Sequence, residues 1–240
     1  MKTLPWYRLE YAKKGKARFL SHREVMTAFQ RALRRAALPL AYSRGFNPRP
    51  RLSFGPSLAL GVAGMKECLD VELNRVVEAE ESLRILNSEL PSGLEGRRLE
   101  LLPPNDPGLG KIVNCAWYRV SLPLSSAGVD VFQPLLRELQ DSEGNWDYRK
   151  PGDGKVYDLA AGVLECRVLA DSTGIYLDFL LKIGSGEVPL RGLLEVLGER
   201  AGLPFSLLPA FVERCGIYRR VEGCLVDPFG EIKALWEEDI

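Results

Sequence analysis

Histidine is almost absent from this sequence: His22 is the only one in 240 residues. Imidazole chemistry at neutral pH therefore rests on one side chain. The five cysteines, Cys68, Cys115, Cys166, Cys215 and Cys224, form no C-x-x-C pair. With no paired ligand spacing and one histidine, neither a zinc nor an iron–sulfur site is expected, and no cofactor is expected in this chain. An odd cysteine count without spacing reads as free thiols in a reducing compartment. No uninterrupted apolar run reaches the ~18 residues that suggest a membrane span, so no membrane partner is expected. Met1–Trp6 offers no apolar stretch before Arg8, which argues against a secretory signal and for a cytoplasmic location. Also missing are G-x-S-x-G, H-E-x-x-H and a Walker A glycine loop, which removes the hydrolase, metalloprotease and nucleotidase classes that depend on them.

Acidic residues are scarce at the N-terminal end. Residues 1–60 hold 13 Lys+Arg against two acids, Glu10 and Glu24, a net charge of +11. The rest of the chain carries −11, so the overall charge is zero. Such asymmetry points to a localised anion-binding surface. Nine of the thirteen bases are arginines, whose planar fork suits phosphate.

Periodicity supplies the elements. Trp6–Phe19 reads as a bent strand, or two strands broken at Lys13–Lys16. Ser21-His22-Arg23-Glu24 is a capping box, opening a helix from His22 to about Ala37 with an apolar stripe of Val25, Phe29, Ala32, Leu33 and Ala36. Leu40–Ser43 reads as a short strand, and 44–57 as turn and breaker residues. Cys68–Leu73 is a strand, Glu78–Leu90 a helix and Leu94–Leu102 a strand. The order β-α-β-β-α-β is the split βαβ, ferredoxin-like plan. Prolines and glycines at 103–111 read as a linker. The plan then repeats in Trp117–Leu122, Val129–Asp141, a hairpin of Gly162–Ala170 and Gly174–Ile183, Leu190–Ala201 and Phe211–Tyr218. Asn145–Lys155 reads as an extended surface loop. The duplication is one of element order, with no repeat at the residue level. The expected class is therefore α+β, with tandem ferredoxin-like halves and antiparallel sheets: 1–102, a linker at 103–111, 112–220, and a tail at 221–240 that packs back through Leu225, Phe229, Leu235 and Trp236.

Chemistry concentrates between Arg18 and Phe54. Free amides at the start of the first helix, at Ser21 and His22, favour a phosphate, with Arg18 and Arg23 beside it. Arg34 lies on the basic helix face. The loop Tyr42-Ser43-Arg44-Gly45-Phe46-Asn47-Pro48-Arg49-Pro50-Arg51 interleaves arginines with aromatics, the pattern that tracks a single-stranded nucleic acid and stacks its bases. The expected RNA or phosphate contacts are Arg18, Ser21, His22, Arg23, Arg34, Tyr42, Arg44, Gly45, Phe46, Asn47, Arg49 and Arg51, converging in one cationic groove. No confident catalytic residue emerges; His22 is the candidate general base. Asp70 and Glu72, two apart on one strand, read as solvated residues rather than an acid/base pair.

Arg18–His22, Ala28–Ala36, Ala41–Pro50 with its G-F-N-P-R-P run, and Leu69–Leu73 resemble a bacterial radical-SAM-associated domain of unknown function. That domain is found fused to, or encoded beside, a radical SAM protein with a cobalamin-binding-type domain. The resemblance covers roughly residues 5–105 and is loose from there to about 220, where Val188, not Arg, precedes Pro189. It implies a radical SAM partner, while the chain itself lacks the C-x-x-x-C-x-x-C that such chemistry needs. Three functions are compatible: an RNA-binding or substrate-presenting accessory protein, a metal-independent RNA-processing endonuclease using His22, and an adaptor docking an acidic protein.

Overall fold

The computed structural model describes residues 4–123, 128–142, 144–152, 154–203 and 212–234. It divides into two compact units, residues 1–113 with 216–240, and residues 114–215. Residues 103–111, read above as a linker, thus lie within the first unit, and the chain re-enters that unit at Gly216.

The first unit begins with β1 (Trp6–Lys13) and a 3-10 turn (Gly15–Phe19), then α1 (His22–Arg35), β2 (Leu52–Phe54), β3 (Ala63–Glu72), α2 (Ala79–Glu89), β4 (Leu94–Leu101) and the single turn α3 (Leu109–Ile112). The strands lie in the order β4-β1-β3-β2, each pair antiparallel. Alternation along β1 sends Tyr7, Leu9 and Tyr11 into the core and Arg8 and Glu10 to the opposite face. The α1 stripe Val25, Phe29, Ala32 and Leu33 packs on that core, with Phe29 edge-on to Tyr11 at 4.6 Å. Full burial of such a side chain is worth about 1.5–3 kcal/mol. Ala37 (φ +53) turns the chain out of α1, and Leu38-Pro39 blocks its continuation.

Three expectations need correction here. A second strand after Lys13 is replaced by the 3-10 turn, which Gly15 enters at φ +54. Leu40–Ser43 supplies only isolated bridges, Leu40 to Leu73 and Tyr42 to Pro50. β2 forms inside the stretch read as breakers, because Leu52 and Phe54 find Val71 and Leu69 on β3.

The second unit contains β5 (Cys115–Leu122), α4 (Val129–Gln140), β6 (Asp147–Arg149), β7 (Val156–Asp158), the one-turn α5 (Leu159–Gly162), β8 (Val163–Ala170), β9 (Ile175–Lys182), α6 (Leu190–Arg200) and the start of β10 (Val212–Val221). Its strand order is β10-β5-β9-β8. The segment Asn145–Lys155 is no open loop: β6 and β7 pair, and Trp146 and Tyr148 are buried. Tyr148 packs on the α6 backbone at Gly192, where an added Cβ would come within 2.3 Å of the ring. Back in the first unit, β11 (Cys224–Val226) pairs with β10, and β12 (Ile232–Lys233) with β11. Leu225 is buried, and Phe229 lies 4.1 Å beneath the Arg98 guanidinium, but Phe211, Leu235, Trp236 and residues 1–3 lie outside the described residues. No helix among the described residues is long and apolar enough to cross a membrane.

A repeat does exist at the residue level. Trp6-Tyr7-Arg8 on β1 matches Trp117-Tyr118-Arg119 on β5, and each arginine stands opposite an aspartate, Asp70 on β3 or Asp178 on β9. Both pairs are two-pronged: Nε to Oδ1 at 2.7 Å and Nη2 to Oδ2 at 2.9 Å in each unit. The match is visible only once the register aligns residues about 60 positions apart.

Candidate nucleic-acid interface

α1 divides the expected site. Its 14 residues span about 21 Å. Arg18, Ser21, His22 and Arg23 lie at its start, while Arg34 and the 42–51 loop lie at its end. The expected contacts therefore fall into two groups, one at each end of α1.

At the start of α1 the cap is complete. Ser21 Oγ accepts from the Glu24 amide at 3.3 Å, and Glu24 Oε2 accepts from the Ser21 amide at 2.7 Å. Bonds from Ser21 hold the Glu24 carboxyl below its ordinary range. The expected phosphate seat thus already carries a carboxylate, which favours the helix dipole but opposes an added anion. His22 is half-buried and edge-on to Phe54 at 5.7 Å, in a narrow recess with Tyr11, Lys13, Val25 and Glu67. Arg18 rests over Phe19 at 5.0 Å, and Arg23 is exposed.

The other end of α1 presents a hairpin. Ala41 and Arg51 form its foot: the Arg51 amide donates to Ala41 O (2.9 Å), the Ala41 amide to Glu72 O (2.9 Å), and the Glu72 amide to Arg51 O (3.0 Å). Higher up, the Ser43 amide donates to Arg49 O (2.9 Å) and the Arg49 amide to Ser43 Oγ (3.1 Å). The chain reverses through Gly45 at φ +130, a backbone region that suits glycine. Every residue from Tyr42 to Arg49 is exposed. Phe46 stands fully in solvent at 106% relative exposure, which no core role explains. The Arg34 guanidinium lies over the Tyr42 ring at 6.0 Å. Among the described residues, Arg44 and Arg49 make no ion pair, whereas Arg35 is tied to Glu89 and Arg51 to Glu72. The structure thus gathers Arg34, Tyr42, Arg44, Gly45, Phe46, Asn47 and Arg49, leaves Arg18, Ser21, His22 and Arg23 apart, and anchors Arg51.

Beside the foot of the hairpin is a cleft of about 600 Å³ lined by Trp6, Ser53, Asp70, Glu72, Asp106 and the proline-rich 103–108 loop. Asp70 and Glu72 are buried, not solvated. Arg8, fully buried, holds Asp70, reaches Asp106 at 2.9 Å and donates to the Pro228 carbonyl. Arg51 faces Glu72 and lies 5.6 Å from the Trp6 ring centre. One sequence signal pointed here: a charged residue at the centre of an apolar strand, Tyr7-Arg8-Leu9.

A family model described as "Uncharacterized protein conserved in bacteria (DUF2344)" matches residues 6–189. No curated protein matches the chain.

Proposed function

We propose that this chain, which belongs to the conserved bacterial family of uncharacterized proteins (DUF2344), is an RNA-binding accessory protein that presents single-stranded RNA to a radical SAM enzyme. The observation that carries the RNA reading is the hairpin: Phe46 is fully exposed, and Arg44 and Arg49 beside it have no carboxylate among the described residues. Guanidiniums track a phosphate backbone while rings stack on bases, each stack being worth about 1–3 kcal/mol. The radical SAM partner rests on the sequence resemblance alone. The orders β4-β1-β3-β2 and β10-β5-β9-β8 support reading both units as split βαβ, ferredoxin-like halves. Catalysis by His22 is not part of the proposal, since its recess is narrow and its ring packs edge-on against Phe54.

Binding of a fluorescent single-stranded RNA over a range of salt concentrations tests this reading. Affinity should fall with salt, and Arg44→Ala/Arg49→Ala should reduce the log–log slope by roughly 1.4, about 0.7 per lost contact. An unchanged slope and affinity in the double variant would remove the hairpin from the interface. An acidic protein captured through the hairpin after nuclease treatment, with no RNA affinity, would favour an adaptor instead.

A further inference from the structure

The solvent face of α1 carries a row of arginines that the fold does not use. Arg23, Thr27, Arg31 and Arg34 are all exposed. They fall within about 80° of arc, opposite the buried stripe of Val25, Phe29, Ala32 and Leu33. Among the described residues none of these arginines has a carboxylate partner, whereas Arg35 beside them is tied to Glu89. The one acid on the helix, Glu24, is turned back onto Ser21, whose amide and hydroxyl each donate to it at 2.7 Å. Two of the arginines stand where helix stability opposes them. Arg23 lies in the first turn, at the positive end of the helix dipole, where a cation is unfavourable. Arg31 has Arg34 and Arg35 three and four residues on, like-charge spacings that destabilise a helix.

We infer that this face is a phosphate track continuing the hairpin, and that the bound RNA runs along α1 from Tyr42 to Arg23. The inference rests on the RNA reading of the hairpin and adds to it Arg31, Arg23 and a minimum length of strand. The two surfaces are continuous, because the Arg34 guanidinium lies over the Tyr42 ring at 6.0 Å, with Arg44 and Arg49 exposed on the same hairpin. From Arg34 to Arg23 the helix rises about 16 Å. At the roughly 3.4 Å per nucleotide of a stacked strand, that rise spans about five nucleotides. Guanidinium forks fit phosphate oxygens, and an incoming polyanion offsets the repulsion among the three helix arginines. Arg23, Thr27, Arg31 and Arg34 include no ring, so this face takes the backbone without choosing bases. The rings available for stacking, Tyr42 and Phe46, stand on the hairpin.

Fluorescent single-stranded RNAs of about four and about twelve nucleotides, lengths within the range that such surfaces accept, test the track on the full chain. The short strand fits the hairpin alone and the long one covers both surfaces. The long strand should therefore bind more tightly and with the steeper salt dependence. Arg23→Gln/Arg31→Gln should lower the log–log slope of the long strand by about 1.4, about 0.7 per lost contact, and leave the short strand unchanged. Arg44→Ala/Arg49→Ala should weaken both. The thermal midpoint of Arg23→Gln/Arg31→Gln should equal or exceed that of the wild type, since two unfavourably placed cations are gone. A long strand that loses nothing in the α1 variant but weakens in the hairpin variant overturns the track and leaves the RNA reading intact. A lowered thermal midpoint also overturns it, by showing that Arg23 and Arg31 serve the fold. Loss in the α1 variant alone upholds the helix face and ends the hairpin reading. No binding of either strand to the wild type ends both.

Discussion

Replacing Arg8 by alanine should lower the unfolding free energy by about 3–5 kcal/mol, the cost of removing one partner of a buried ion pair. Arg8 has no exposed surface and satisfies Asp70, Asp106 and the Pro228 carbonyl from one guanidinium. Its loss leaves the Asp70 carboxylate buried without a cation and frees the 103–108 loop from the sheet. The planar fork is essential, because a lysine ammonium cannot make the two-pronged bond. Arg8→Lys should therefore fall between wild type and Arg8→Ala. The check is the urea midpoint at constant slope. A loss below about 1 kcal/mol, the value of an exposed pair, would show that the network contributes little. In the second unit, Asp178→Ala removes the carboxylate that Arg119 and Arg167 share, and those two side chains keep 14% and 28% exposure. Solvent can reach those guanidiniums, so the loss there should be smaller than at Arg8.

The triple variant Arg44→Ala/Phe46→Ala/Arg49→Ala should lose about 100-fold or more in affinity for single-stranded RNA, combining one lost stack with two lost backbone contacts. Its thermal midpoint should stay at the wild-type value. All three side chains are exposed, and the hairpin is held by backbone bonds at 41–51 and by Ser43 Oγ, none of which the variant removes. A large loss of stability would mean that the tip packs on something, and the affinity change could not then be assigned to contacts with RNA. Equal loss for every sequence at low salt would mark the hairpin as a backbone clamp, with base choice made elsewhere.

Local rules read well from the sequence. The α1 stripe and the Ser21–Glu24 cap follow from spacing within one or two helical turns, where nothing distant competes. The hairpin's chemistry was also legible, because Gly45 and the surrounding arginines and aromatics carry it by composition. Non-local pairings were not legible. β2 exists because Leu52 and Phe54 meet β3, and the β6–β7 segment is ordered because Trp146 and Tyr148 are buried, the latter against α6. Asp70 and Glu72 read as solvent-facing because alternation alone cannot show that the second face is also covered; Arg8 stands 62 positions away from Asp70. The repeated Trp-Tyr-Arg triplet was overlooked because its meaning lies in the aspartate opposite, which only the register supplies. The division of the arginines needed only helix geometry, since a helix of this length keeps its two ends apart.

Photocrosslinking of single-stranded RNA carrying 4-thiouridine, followed by mass spectrometry of the digested protein, tests the central claim most directly. Adducts on the peptide containing Tyr42 and Phe46, lost in Phe46→Ala and competed by unlabelled RNA, are the predicted result. Absence of adducts, or adducts confined to other segments with 42–50 unmodified, would contradict it.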